Sequence, residues 1–257
     1  MNKTLISLYM LSYLEFKGRY KPMRIGLLWV LVRPTVQLAI FYSIFGFLFK
    51  TNITHEHFAL ELFFGLALWS FFSEATSSAL TSISGKPNFV LNIHLPLWLL
   101  PSSSFIVALL NLVLTMSVFA AFYLYAGLQP APGWMFAFFG GLALIALLAY
   151  SVGVLLSITN LFFRDIQQIW ELLLVYGVFL SPIIYYVNIP EKLLTLYYSV
   201  NPFAFPLELA KSAFFHVTPR MSTNTTWLTC YLLAAAALPV LALLAINTIE
   251  GKARDQV

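Results

Sequence analysis

Long apolar runs, each ended by a short polar or proline-bearing interval, make up almost all of this 257-residue chain. A helix rises about 1.5 Å per residue, so about 20 consecutive apolar residues cross a hydrocarbon core of about 30 Å. By that measure the pattern predicts six spans, at 28–49, 58–80, 97–125, 134–158, 166–187 and 227–249. The runs are continuous rather than alternating, as Leu142 to Tyr150 shows, which favours helices over the strands of a membrane barrel. Before the first span, 4–20 mixes Leu5, Leu8, Tyr9, Leu11 and Tyr13 with Glu15, Lys17 and Arg19. That stretch is too polar to cross and suits an amphipathic helix lying in the interface. It has no uninterrupted apolar centre or small-residue cleavage site, so a secretory signal is not expected.

Two connections carry structure of their own. In 81–96, Gly85 and Pro87 stop the preceding helix, Asn88 is placed to cap a short new one, and Pro96 closes it. In 188–226 one stretch bears Leu193, Tyr197 and Val200 and another Phe205, Leu209 and Ala213, separated by Asn201-Pro202. Spacings of three and four put each set on one helical face. These segments are too short to span and too apolar to float free, so they should dip into the outer leaflet or fold back on the bundle. The expected fold is therefore all-α and membrane-integral, a single domain over 1–257.

Composition agrees: 60% of residues are hydrophobic and 9% charged, with mean hydropathy +0.85, against about 25% charged in a soluble domain. Cationic residues are retained on the cytoplasmic side. With the amino end inside, the inner segments carry nine of them (Lys3, Lys17, Arg19, Lys21, Arg24, Lys86, Arg164, Lys252 and Arg254) and the outer segments four (Lys50, Lys192, Lys211 and Arg220). Arg33 stands at the inner edge of the first span and is left out. Both termini are expected in the cytoplasm, and the net charge of +4 reflects orientation rather than nucleic-acid binding. The single cysteine, Cys230, excludes an intrachain disulfide. No two glycines stand four apart, so helix contacts must use other small pairs such as Ala137 with Gly141 or Ala149 with Gly153.

Reactive groups are sparse. His55, His57, His94 and His216 all fall outside the spans, against an intramembrane hydrolase or proton relay. His55 and His57 flank Glu56 in a short outer loop, where histidines are more often solvated than metal-bound; no metal site is expected. Asn52-Ile53-Thr54 and Asn224-Thr225-Thr226 match the glycosylation pattern, a weak signal. Glu61, Glu74 and Glu171 sit near span edges, where a cationic partner relieves the cost of a carboxylate in hydrocarbon, or where Glu74 or Glu171 joins a network with Arg164 or Arg33. Gly85-Lys86 and Gly251-Lys252 lack the spacing of a phosphate-binding loop, so a nucleotide would be hydrolysed on another chain. Aromatics reach 17%. Trp29, Trp134 and Trp227 read as interfacial anchors. Tyr42, Phe45 and Phe49 in the first span, with Tyr176, Phe179 and Tyr185 in the fifth, either pack and face lipid or line a path on which sugars stack.

Four stretches in order resemble the ABC-2 type polysaccharide export permeases: Tyr13 to Phe49 with Gly26-Leu27-Leu28-Trp29 and Arg33-Pro34, Asn88 to Pro101, Asn160 to Trp170, and Phe179 to Phe215. The resemblance implies a homodimer of six-span subunits in a bacterial inner membrane, joined to two ATP-binding cassette subunits that hold ATP and Mg, with no cofactor on this chain. It implies export of an undecaprenyl-diphosphate-linked glycan, O-antigen foremost, with capsular polysaccharide and teichoic acid as alternatives. Asn88, Phe89, Val90, Leu91, Asn92, Ile93 and His94 match the family's ATPase-coupling helix. Pro190 to Val200 and Phe203 to Phe215 match its gate helices, with Leu193, Tyr197, Phe205 and Leu209 as gate residues.

On that reading Lys17, Arg19, Lys21, Arg24 and Arg33 attract the lipid diphosphate, since basic groups pair well with phosphate oxygens. The competing class is a polytopic membrane enzyme acting on lipid-linked sugar, with Glu56 or Glu61 as its carboxylate. A channel without an energy source is disfavoured by the structured inner loop.

Overall fold

The computed structural model describes residues 3–21, 26–44, 57–86, 96–215, 219 and 225–255, and these are helical with short connections. The chain opens with α1 (Lys3–Tyr20), a short 3-10 turn (Gly26–Leu28) and α2 (Trp29–Tyr42). Then follow α3 (Phe58–Leu80), α4 (Leu99–Tyr125), α5 (Trp134–Phe162), α6 (Ile166–Leu180), α7 (Glu191–Val200), α8 (Ala204–Phe215) and α9 (Thr225–Asp255). Among the described residues α3, α4, α5 and residues 225–248 of α9 are long and apolar enough to cross a membrane. The bounds of α3 coincide with the expected span, and those of α4, α5 and α9 differ from it by two to six residues at an end.

The fifth expected span, 166–187, is instead α6 of 15 residues, a length of about 22 Å. Pro182 is the reason. Its ring disfavours helical backbone at the residue before it, and Ser181 is extended, with φ −84° and ψ 146°. The first expected span, 28–49, begins as α2, whose 14 residues run to Tyr42. Its end, with Phe45 and Phe49, lies outside the described residues, as does the coupling stretch Asn88 to His94.

The core forms around α3. Leu62, Phe64, Leu66 and Leu68 are fully buried, as the apolar first half of a central helix requires. Helices α4, α5, α8 and α2 pack around it. Both small-residue seats named above are used: a Cβ on Gly153 would come within 2.9 Å of Ala79 of α3, and one on Gly141 within 2.6 Å of the Pro206 carbonyl of α8. Ala126 ends α4 with Gly127 in the left-handed region at φ 69°. The Leu128 N–H then donates to Tyr123 and that of Gly127 to Leu124, so the last carbonyls of the helix are satisfied.

The segment after α6 folds back on the bundle, one of the two placements that its length and polarity suggest. Helix α8 is buried along Phe205, Leu207, Ala210 and Ala213 against α5 and α3. Helix α7 turns Leu194 and Tyr198 inward. At the opposite end α1 lies on α4, with Leu11 buried beside Ile83, Leu97 and Leu100. Leu5, Tyr9, Met10, Tyr13 and Leu14 of α1 are exposed.

Candidate functional site

A cleft of about 1030 Å³ opens between α2, α3, α4 and α6, with the end of α1 at its polar head. Its chemistry follows from one helix. Between Gly65 and Leu80 every residue of α3 is buried except Ser70, Ser73, Glu74, Ser77 and Ser78. These recur at i, i+3, i+4, i+7 and i+8, a single helical face, and all of them line the cleft. Opposite stand Phe41 of α2 and Leu174, Val178 and Phe179 of α6. Phe41 and Phe179 meet edge to face at 5.8 Å. One wall therefore offers hydroxyls and a carboxylate, the other rings and aliphatic chains. That division suits a ligand with a polar head and an apolar tail.

A polar cluster organises the head of the cleft. Arg19 Nη1 donates to Glu74 Oε1 at 2.6 Å and Nη2 to Glu15 Oε1 at 2.9 Å. Glu15 also accepts from Lys86 Nζ at 3.3 Å, Ser103 Oγ at 2.9 Å and Ser104 Oγ at 2.7 Å. Burial by itself would raise the Glu15 carboxyl. Lys86, the Ser104 hydroxyl, Arg19 and the Ser103 hydroxyl together outweigh it and hold the group below its ordinary range. Asn111 of α4 donates to Glu74 at 2.6 Å and to the Tyr20 hydroxyl at 2.7 Å. Its Oδ1 is buried with no partner among the described residues.

A second cluster lies outside the cleft lining, at the amino-terminal end of α3. Lys211 of α8 is 1% exposed and donates to Glu61 Oε1 at 3.1 Å, the Pro182 carbonyl at 2.7 Å and the Ile183 carbonyl at 3.1 Å. The Tyr186 hydroxyl donates to the other oxygen of Glu61. Close by, the Leu180 carbonyl accepts from Tyr185 at 2.6 Å, Tyr197 at 2.9 Å and Asn201 at 3.2 Å. The break after α6 is thus pinned to α3, α7 and α8 by side chains that replace lost helical hydrogen bonds.

The structure gathers some of the sequence-predicted residues and separates others. Phe179 lines the cleft; Tyr42 and Tyr176 are exposed outside its lining, and Tyr185 belongs to the second cluster. Arg19 stands at the cleft head with its charge shared between two carboxylates. Lys17 and Lys21 are exposed, and Lys17 lies over the Tyr13 ring at 5.6 Å. Arg24, Glu56 and the side chain of Arg33 fall outside the described residues.

Glu74 takes Arg19 as cationic partner, and Glu171 accepts from Gln167 at 3.1 Å. Of the residues expected to form a gate, Phe205 is buried, Leu209 and Tyr197 are half-buried, and Leu193 is 50% exposed. The serine face, Asn111, and the pairing of Glu61 with Lys211 had gone unread. The first was legible as polar residues at helical spacing inside an apolar run, the last as an acid and a base each in its own apolar segment.

A family model described as ABC-2 type transporter matches residues 7–215. The O-antigen export system permease protein RfbA of Myxococcus xanthus is 26% identical over 94% of this chain and 90% of its own length. Two proteins of the same description from Klebsiella pneumoniae are each 27% identical over 69% of this chain and 68% of theirs. With the family match covering most of its length and the helices packed as above, the chain belongs to the ABC-2 type transporter family.

Proposed function

We propose that this chain is the membrane permease subunit of an exporter that moves an undecaprenyl-diphosphate-linked polysaccharide, O-antigen foremost, across the bacterial inner membrane. The observation that carries the reading is the cleft: one polar helical face opposed by an apolar wall, in a chain whose relatives are named as O-antigen export permeases. Hydroxyl-rich sugars suit Ser70, Ser73 and Ser77, and a polyisoprenyl chain suits Phe41, Leu174 and Phe179. Energy comes from ATP and Mg held by a separate ATP-binding subunit, two of which join a homodimer of this chain. The spans number six, α2 and α6 being the short first and fifth, and both termini are cytoplasmic. Lys17, Lys21, Arg24 and Arg33 draw the lipid diphosphate to the inner mouth, since Arg19 is already satisfied by Glu15 and Glu74.

The membrane-enzyme alternative loses ground at Glu61, whose carboxylate is 6% exposed and held by Lys211 and Tyr186. A group so engaged is structural. Purification from native membranes in mild detergent tests the proposal. An ATP-binding protein should accompany the chain in equal stoichiometry; a dimer without one would overturn it.

A further inference from the structure

The amino-terminal helix, the inner connection and the start of α4 meet at one carboxylate. Glu15 is 10% exposed at its side chain. Its Oε2 takes Lys86 and Ser103, and its Oε1 takes Arg19 and Ser104. Lys86 is the last described residue before 87–95, and Ser103 and Ser104 stand in the second turn of the helix that follows. Both flanks of that stretch are therefore fastened to α1 through the same two oxygens. Arg19 continues the chain of contacts to Glu74, in the polar face of the cleft. A carboxylate present only to neutralise Arg19 would need neither serine nor Lys86. Four donors on one carboxylate, three of them from outside α1, fix its position.

We propose that Glu15 is a positioning residue that carries displacement of the described flanks of the inner connection, Lys86 and the start of α4, to α1 and through Arg19 and Glu74 to the polar face of the cleft. The inference rests on the exporter reading above, in which an ATP-binding subunit moves that connection. Glu15 touches neither nucleotide nor cargo. Its role is to make α1, Lys86 and the start of α4 move as one body, so that hydrolysis and cargo movement stay in step.

The complete transporter, permease with its co-purifying ATP-binding partner, is reconstituted in anionic phospholipid vesicles with its lipid-linked glycan. ATP hydrolysed and glycan delivered are measured together for the unaltered chain, Lys86→Met, Glu15→Gln and the double variant. Both single variants should retain the partner and hydrolyse ATP within about twofold of the unaltered complex, while export falls by about fivefold or more. The double variant should be no worse than Glu15→Gln, because both changes cut one link. A merely structural contact would lower the amount of complex without changing ATP used per chain exported.

Normal coupling in Lys86→Met, or losses that multiply in the double variant, would overturn the inference. Should Glu15→Gln insert poorly, Lys86→Met decides alone, since that lysine is 37% exposed and its removal leaves the serine contacts in place. If no ATP-binding partner accompanies the unaltered chain, the exporter reading itself fails, a result visible before any variant is made.

Discussion

Replacing Lys211 by methionine removes one charge from its cluster with Glu61 and leaves the rest of the site's volume nearly filled. The ammonium group holds Glu61 and the carbonyls of Pro182 and Ile183, all from elements outside α8. After Lys211→Met, Glu61 stays 6% exposed with only the Tyr186 hydroxyl among these partners, and two carbonyls lose a donor. Breaking a buried ion pair on one side costs about 3–5 kcal/mol. For a chain of this size each kcal/mol is about 2–4 °C of melting temperature, so a fall on the order of 10 °C is expected.

Removing both charges has a different consequence, because no buried carboxylate is left unpaired. Lys211→Met with Glu61→Leu should recover more than half of the loss. Intrinsic tryptophan fluorescence of the purified chain during heating reads both changes, since Trp69 lies on α3, the helix that carries Glu61. Equal destabilisation by the single and double variants would refute the argument, since the cost would then come from lost packing rather than from a stranded charge.

Three further outcomes follow from the geometry. Ser73→Leu narrows the cleft and removes one hydroxyl; with normal insertion, glycan affinity should fall by about two- to tenfold, the worth of one neutral hydrogen bond, measured by binding of lipid-linked glycan to the purified transporter. Gly141→Ala places a Cβ within 2.6 Å of the Pro206 carbonyl and 2.7 Å of the Ala210 nitrogen, both backbone atoms of α8, and should cost about 1–3 kcal/mol, seen as a lower melting temperature.

The docking of α1 should also depend on acid. The Glu15 carboxyl is held below its ordinary value of 4.5, so its contribution is complete above that value and fades as pH falls through the lowered one. Hydrogen exchange of α1 amides should stay slow from neutral pH to about 4.5 and accelerate, beyond the intrinsic pH effect, only below it, as Arg19, Lys86 and the serines lose their anionic partner.

Much of the architecture was readable from the chain because a bilayer allows few alternatives. Span α3 matched its apolar run at both ends, since the polar residues at 57 and 81 stop it as surely in the fold as in the pattern. The end of α6 was overrun because the apolar run continues through Ile183 and Ile184 while the backbone stops at Pro182. The restriction that proline places on the residue before it mattered more there than hydropathy. Length and polarity left two placements for the helices after α6, the outer leaflet or the bundle, and they fold back on the bundle.

The cleft was less so. Aromatic content drew attention to Tyr42 and Tyr176, which face outward, while five modest polar residues of α3 form the polar wall. Serines in an apolar helix look like packing residues until their common face is plotted. Partnerships across the bundle, Arg19 with Glu74 and Lys211 with Glu61, join residues 55 and 150 positions apart, a separation that no local pattern reports.

The central claim is that this chain carries finished lipid-linked glycan outward and does not build it. Depleting the chain in cells and probing spheroplasts with an antibody to the glycan tests this most directly, before and after permeabilisation. Lipid-linked glycan should accumulate and be detected only after permeabilisation. Glycan that is never made, or that still reaches the outer face at the normal rate, would contradict it.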